Sequence, residues 1–115
     1  MPTINGMTVD RITEFTAIRA KDTRTQKEVG TIDYILTYAD RAEVIGEVYG
    51  KGTVNILLHK DVILVLWKRC QFRCDATVNL LSRAEIVDWS AAVLVAINEG
   101  KVKPVVGCGP LWIAC

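Results

Sequence analysis

Residues 62–67 read Val-Ile-Leu-Val-Leu-Trp, six large apolar side chains in succession between polar neighbours. In an extended strand successive side chains point to opposite faces of a sheet, so this run presents apolar groups on both faces. Leaving either face in water costs roughly 1.5 to 3 kcal/mol for each large apolar side chain. A fold built on such a strand must therefore cover its sheet on both sides.

Three segments before this run alternate apolar and polar residues, as half-buried strands do: residues 31–38, 43–49 and 53–59. The side chains predicted to share one face of the first of these strands are Ile32, Tyr34, Leu36 and Tyr38. The apolar residues within residues 9–20 fit both the period of a helix and the alternation of a strand, and we favour a strand there. A polar loop is predicted to follow over residues 21–28. Because the connections are short, an antiparallel meander is the expected topology.

One helix is predicted after the strands. Ser82 and Glu85 have the spacing of a capping box, and Gly100 stands where a left-handed C-terminal cap belongs. The sequence thus predicts a single α+β domain over residues 1–115, with an antiparallel sheet of four to six strands and one C-terminal helix packed across it. A helix of about 16 residues is about 24 Å long and covers only part of one sheet face. The rest requires barrel closure, the N-terminal segment or another subunit.

The composition is nearly neutral, with 14 Lys and Arg against 13 Asp and Glu in 115 residues, which does not favour nucleic acid as a partner. Neither a secretion signal nor an apolar run long enough to span a membrane is evident, so a cytoplasmic protein is expected. The apolar tail over residues 105–115 has no charged side chain. We predict that Leu111, Trp112 and Ile113 lie in an oligomer interface, most simply of a homodimer. The alternative is that the tail folds back as an edge strand or packs under the helix.

Chemistry-bearing residues are sparse. The sole histidine, His59, is a candidate general base if Asp33 or Glu47 shares its sheet face and orients the imidazole, although such residues more often form a solvated face. Trp67, Lys68, Arg69 and Arg73 mix aromatic and cationic side chains in a pattern that suits phosphates and bases, but also suits an ordinary strand end.

The four cysteines, at positions 70, 74, 108 and 115, lack the paired short spacings of zinc sites and are expected to be reduced thiols. No metal or other cofactor is predicted. The sequence therefore favours a small non-enzymatic binding or assembly module that acts as a homo-oligomer. A pocket enzyme that uses His59 on a small-molecule substrate is the alternative, and a nucleic-acid contact through the basic residues is a weaker one.

Overall fold

The computed structural model describes residues 3–4, 7–8, 12–101 and 111–112, with side chains described for residues 13–101. The elements in chain order are β1 (Thr3–Ile4), β2 (Met7–Thr8), β3 (Ile12–Asp22), β4 (Lys27–Thr37), β5 (Ala42–Val48), β6 (Gly52–Leu58), β7 (Val62–Trp67), β8 (Cys70–Asp75), α1 (Arg83–Asn98) and β9 (Leu111–Trp112).

Six strands, β3 to β8, form an antiparallel meander in which each strand pairs with the next along the chain. The predicted α+β architecture is confirmed: the sheet is open, since within the described residues β3 and β8 do not pair with each other, and α1 packs across β3–β6. The short strand β9 adds in parallel to the edge strand β8. A small separate ladder joins β1 to β2.

The core lies between the helix and one face of this sheet. Side chains alternate along the strands, so every second residue of β5 to β8 is buried against α1 or its neighbours. A central row of this face runs from strand to strand through Ile35, Val44, Ile56, Val65 and Phe72, each at most 2% exposed. We refer to this as the helix face and to the opposite side as the open face.

The helix begins and ends as its sequence predicts. The Ser82 hydroxyl accepts a hydrogen bond from the Glu85 backbone N–H at 3.2 Å, which is one half of the capping box, while the Ser82 N–H donates to the Asn79 carbonyl at 3.2 Å. At the other end Gly100 has a φ of +73°, and the amide of Lys101 donates to the Ala96 carbonyl at 3.0 Å, which completes a Schellman cap. Lys51, on the turn after β5, adds a contact that no local pattern signals, because its Nζ donates to the Ile97 and Asn98 carbonyls at 3.1 Å.

Two local predictions about β3 and β4 need correction. The predicted loop over residues 21–28 is shorter, because β3 runs through Asp22 and β4 already begins at Lys27. A bulge at Asp33 also shifts the β4 register, so Ile32 is buried on the helix face while Tyr34 pairs with Ile45 on the open face. The four apolar residues predicted on one face of β4 are therefore divided between the two faces.

Strand β8 was not predicted as a separate strand. Lys68 and Arg69, which follow β7, have φ angles of +52° and +64° and form a tight turn that sends the chain back along β7. Turns of this kind favour Asn and Gly, so two basic residues give no sequence signal for a hairpin. At the start of the helix, Leu80 packs on the core, whereas Leu81 is 97% exposed.

Cys70 and Cys74 lie on the helix face of β8, and both are buried. Cys74 is disulfide-bonded, so the expectation of a reduced thiol is wrong at that position. Spacing along the chain does not show which cysteines a fold brings within bonding distance. Cys108 and Cys115 lie outside the described residues.

Within the part of the chain that the structure describes, no helix is both long and apolar enough to cross a bilayer.

Candidate binding surface

The open face of the sheet carries an apolar patch that no described element covers. Two adjacent rows cross the strands there. The first contains Tyr34, Ile45, Asn55, Leu66 and Gln71. The second contains Leu36, Glu43, Leu57, Leu64 and Arg73.

Leu66 illustrates how differently the two faces are covered. Its neighbour Val65 points to the helix face and is fully buried, whereas Leu66 points the other way and is 51% exposed. Side chains of both rows line a shallow depression of about 360 Å³ over β4 to β8, with Leu57, Leu64 and Leu66 among its walls. The apolar excess of the 62–67 run therefore leads to a partly exposed apolar patch on the open face.

Charged pairs border the patch on both sides. Just before β5 the Arg41 guanidinium lies 3.0 Å from the Asp40 carboxylate and 3.8 Å from the Glu43 carboxylate. On β8 the Arg73 guanidinium lies 3.3 Å from the Asp75 carboxylate. Glu43 and Arg73 belong to the same row, while Arg41 and Asp75 belong to the next row towards the β6–β7 hairpin. In each of these two rows, the charge on the β5 side of the patch is therefore opposite to the charge on the β8 side.

The candidate catalytic residues do not come together. Glu47 pairs with Thr53 at one end of β6, while His59 follows Leu58 at the other end, six residues further along the same chain segment. This spacing corresponds to roughly 20 Å. Asp33 lies in the bulge near the Glu47 end and accepts a hydrogen bond from the Thr31 hydroxyl at 2.9 Å. The described residues therefore contain no carboxylate-oriented imidazole made from these three groups.

The predicted basic contact is also divided. Lys68 and Arg69 occupy the tip of the β7–β8 turn, whereas Arg73 is four residues away on the open face, which corresponds to roughly 13 Å. Trp67 is half-buried, with its ring 5.9 Å from that of Phe72 and its Nε1 donating to the Lys51 carbonyl at 2.9 Å. The Trp67 ring thus packs within the sheet, so it is not positioned to stack on a nucleic-acid base.

Of the predicted interface residues in the tail, Leu111 and Trp112 form β9, whose backbone pairs with Phe72 and Arg73 of β8. Ile113 lies outside the described residues. The alternative expectation for the tail, an edge strand, agrees with this pairing at residues 111–112.

A separate polar network lies at the C-terminal end of the helix. Arg24 contacts Asp22 at 3.2 Å and also pairs with Glu99, which Lys101 approaches at 2.9 Å. Hydrogen bonds from Arg24 lower the pKa of Asp22 to about 2. These ion pairs join the β3–β4 turn to the end of α1 and are accounted for by that structural role.

The long edge strand β3 is less suited to pairing with another chain than the open face. Its register against β4 is interrupted twice, and the Thr16 hydroxyl donates to the Ile32 carbonyl beside the first interruption. It also carries Glu14, Arg19 and Lys21, and bulges and charges are features that discourage edge-to-edge association. Phe15, 82% exposed, stacks near Tyr34 and extends the apolar surface of the open face instead.

Comparison of the chain with protein-family models, with curated proteins and with solved structures found no match.

Proposed function

We propose that this chain is a non-enzymatic assembly module that acts as a homodimer, with the open face of the sheet as its assembly surface and a second copy of the chain as the occupant. The observation that carries the proposal is the leucine patch on the open face, in which Leu66 is 51% exposed and its neighbours Leu57 and Leu64 are partly buried. Two such faces stacked about 10 Å apart would form a sandwich of the kind common among antiparallel sheets.

The size of the surface supports a dimer. Strands β4 to β8 extend about 24 Å across the sheet and about 20 Å along it at standard strand spacings. Two copies would cover a projected area of about 500 Å² each, or about 1,000 Å² together, which is the minimum expected of a specific interface. Interdigitated side chains add to this flat projection.

The residue types on the surface also suit self-association. The centre of the patch is leucine-rich, and its two flanks are charged. Because the flanks carry opposite signs within each row, the charged groups of one copy are complementary to those of a second copy. The separated positions of His59, Asp33 and Glu47 give no comparable support to the pocket enzyme, and the divided basic residues give none to nucleic-acid binding.

The proposal is tested by sedimentation equilibrium of the full chain over a range of concentrations. We expect a mass of twice 12.8 kDa that falls towards 12.8 kDa on dilution. Leu57→Arg, in the centre of the patch, should give a folded chain with the mass of one copy, because it places a charge in the buried interface. Leu81→Arg, the same substitution at a leucine that is 97% exposed beside the helix, is the matched control and should leave the dimer intact.

A mass of one copy for the wild-type chain at high micromolar concentration would overturn the proposal. So would a Leu57→Arg variant that remains folded by circular dichroism and retains the wild-type dimer mass.

A further inference from the structure

We infer that the dimer is built on a two-fold axis that runs parallel to the strands, above the seam between β6 and β7. The inference rests on the proposed function and adds the orientation of the second copy. Such an axis places β6 of one copy over β7 of its partner and β5 over β8, and it keeps residues of the same row opposite one another.

The leucine patch fits this axis. Leu57 on β6 and Leu64 on β7 are direct neighbours across the seam, so each would lie over the other residue of the second copy. In the adjacent row, Asn55 lies beside the axis and pairs with Leu66. Two symmetry-related Asn55 side chains would therefore be about one strand spacing apart, and their amides offer each other both a donor and an acceptor.

The charged flanks give the axis its specificity. Because β5 would lie over β8, Glu43 faces Arg73 of the second copy and Arg41 faces Asp75, each contact occurring twice. In one row the carboxylate of Glu43 is on the β5 side and the guanidinium of Arg73 is on the β8 side. In the next row the signs are exchanged, with Arg41 on the β5 side and Asp75 on the β8 side. Each charge of one copy therefore faces an opposite charge of the second copy. All four side chains are at least one-third exposed, and exposed pairs of this kind exchange partners at little cost.

The usual twist between packed sheets does not remove these contacts. Glu43 lies about one and a half strand spacings, or about 7 Å, from the seam. Packing two sheets at about 30° displaces the opposing strand there by about 4 Å, which the length of an arginine side chain spans.

The other in-plane axis, perpendicular to the strands, fits less well. An axis of this kind between the two rows would set β5 of one copy over β5 of the other. It would bring Glu43 over the apolar Ile45 and Arg73 over Gln71. Two carboxylates and two guanidinium groups would then face uncharged partners inside the contact area, which is unfavourable.

A mixing experiment with two charge-reversal variants tests the orientation. Glu43→Arg alone would set arginine against Arg73 of the second copy, and Arg73→Glu alone would set glutamate against Glu43. Each variant is expected to lose about tenfold or more in dimer affinity, since like charges face each other at two places. A one-to-one mixture of the two variants restores both opposite-charge contacts, so we expect a heterodimer at close to wild-type affinity, measured by sedimentation velocity with one variant fluorescently labelled.

The control mixture combines Asp88→Arg, on the exposed side of the helix, with Lys27→Glu, at the beginning of β4. These variants change net charge by the same amounts outside the proposed contact, and each should form homodimers alone as well as in the mixture. Selective heterodimer formation by the first pair supports the inferred axis. Homodimers of undiminished affinity from Glu43→Arg and Arg73→Glu, or a mixture that associates no better than either variant alone, would overturn the axis while leaving the proposed dimer in place. A wild-type chain that is monomeric would overturn both.

Discussion

Replacing Leu66 with serine tests how much of the association energy resides in the open face. Complete burial of a leucine side chain stabilises by roughly 1.5 to 3 kcal/mol. Leu66 is 51% exposed in the single chain, so the dimer would bury about the remaining half. That gives roughly 0.8 to 1.5 kcal/mol for each copy and roughly 1.5 to 3 kcal/mol for each dimer, equivalent to about a 10- to 150-fold increase in the dissociation constant.

The assay is a dilution series by sedimentation velocity, with thermal unfolding of the dilute monomer measured in parallel. Leu81→Ser is the matched control, because Leu81 is 97% exposed beside the helix and lies away from the sheet rows. We expect the control to dimerise like the wild type. Equal weakening by both substitutions, or an unchanged dissociation constant for Leu66→Ser, would refute the assignment of the association energy to the open face.

Three further predictions concern the fold. Gly30→Ala should destabilise the protein by about 1 to 3 kcal/mol in urea unfolding, because a Cβ at that position would lie 2.0 Å from the Glu47 carbonyl oxygen; no loss would show that β4 and β5 are not as close as described. Arg69→Gly should stabilise by about 1 kcal/mol, since its φ of +64° suits glycine; a lower melting temperature would contradict the turn. Asp22→Asn should be less stable than the wild type at pH 7. Because Arg24 lowers the folded-state pKa of Asp22 to about 2 from its usual 3.8, the advantage of the wild type should be present above pH 4 and disappear as the pH falls towards 2, whereas a pH-independent difference would contradict the ion pair.

The helix and most strands could be predicted because their signals are local. Ser82, Glu85 and Gly100 act within a few residues of the helix ends. The short gap between the runs 53–59 and 62–67 indicates a hairpin, and in the structure the His59 amide donates to the Val62 carbonyl across that connection. Alternation along 53–59 correctly divided the side chains of β6 between the two faces. In each case the pattern is read from neighbours in the chain, without knowledge of the tertiary structure.

The remaining features depend on contacts between distant segments. The bulge at Asp33 reverses the alternation of β4, and nothing in the neighbouring residues marks its position. The turn at Lys68 and Arg69 forms although neither residue favours a positive φ, because pairing of β7 with β8 determines the backbone there. The separation of His59 from Glu47 follows from strand register, which places side chains of the same face at opposite ends of the sheet.

The apolar strand at 62–67 nevertheless anticipated the central feature of the surface. It predicted that two faces need cover and that one helix is too small to provide both. The structure agrees in leaving Leu66 half exposed beside the fully buried Val65. The charged flanks could not be recognised in the sequence, since Glu43 and Arg73 belong to one row only through the pairing of four strands.

The most direct test of the central claim is an isotope-filtered NOE experiment on a mixture of methyl-labelled and unlabelled chains, which detects contacts only between copies. We predict intermolecular NOEs from the methyl groups of Leu57 to those of Leu64, and none from Leu81. A sample of dimer mass whose intermolecular NOEs involve Leu81 or the β3 edge, with none from the leucines of the open face, would contradict the account.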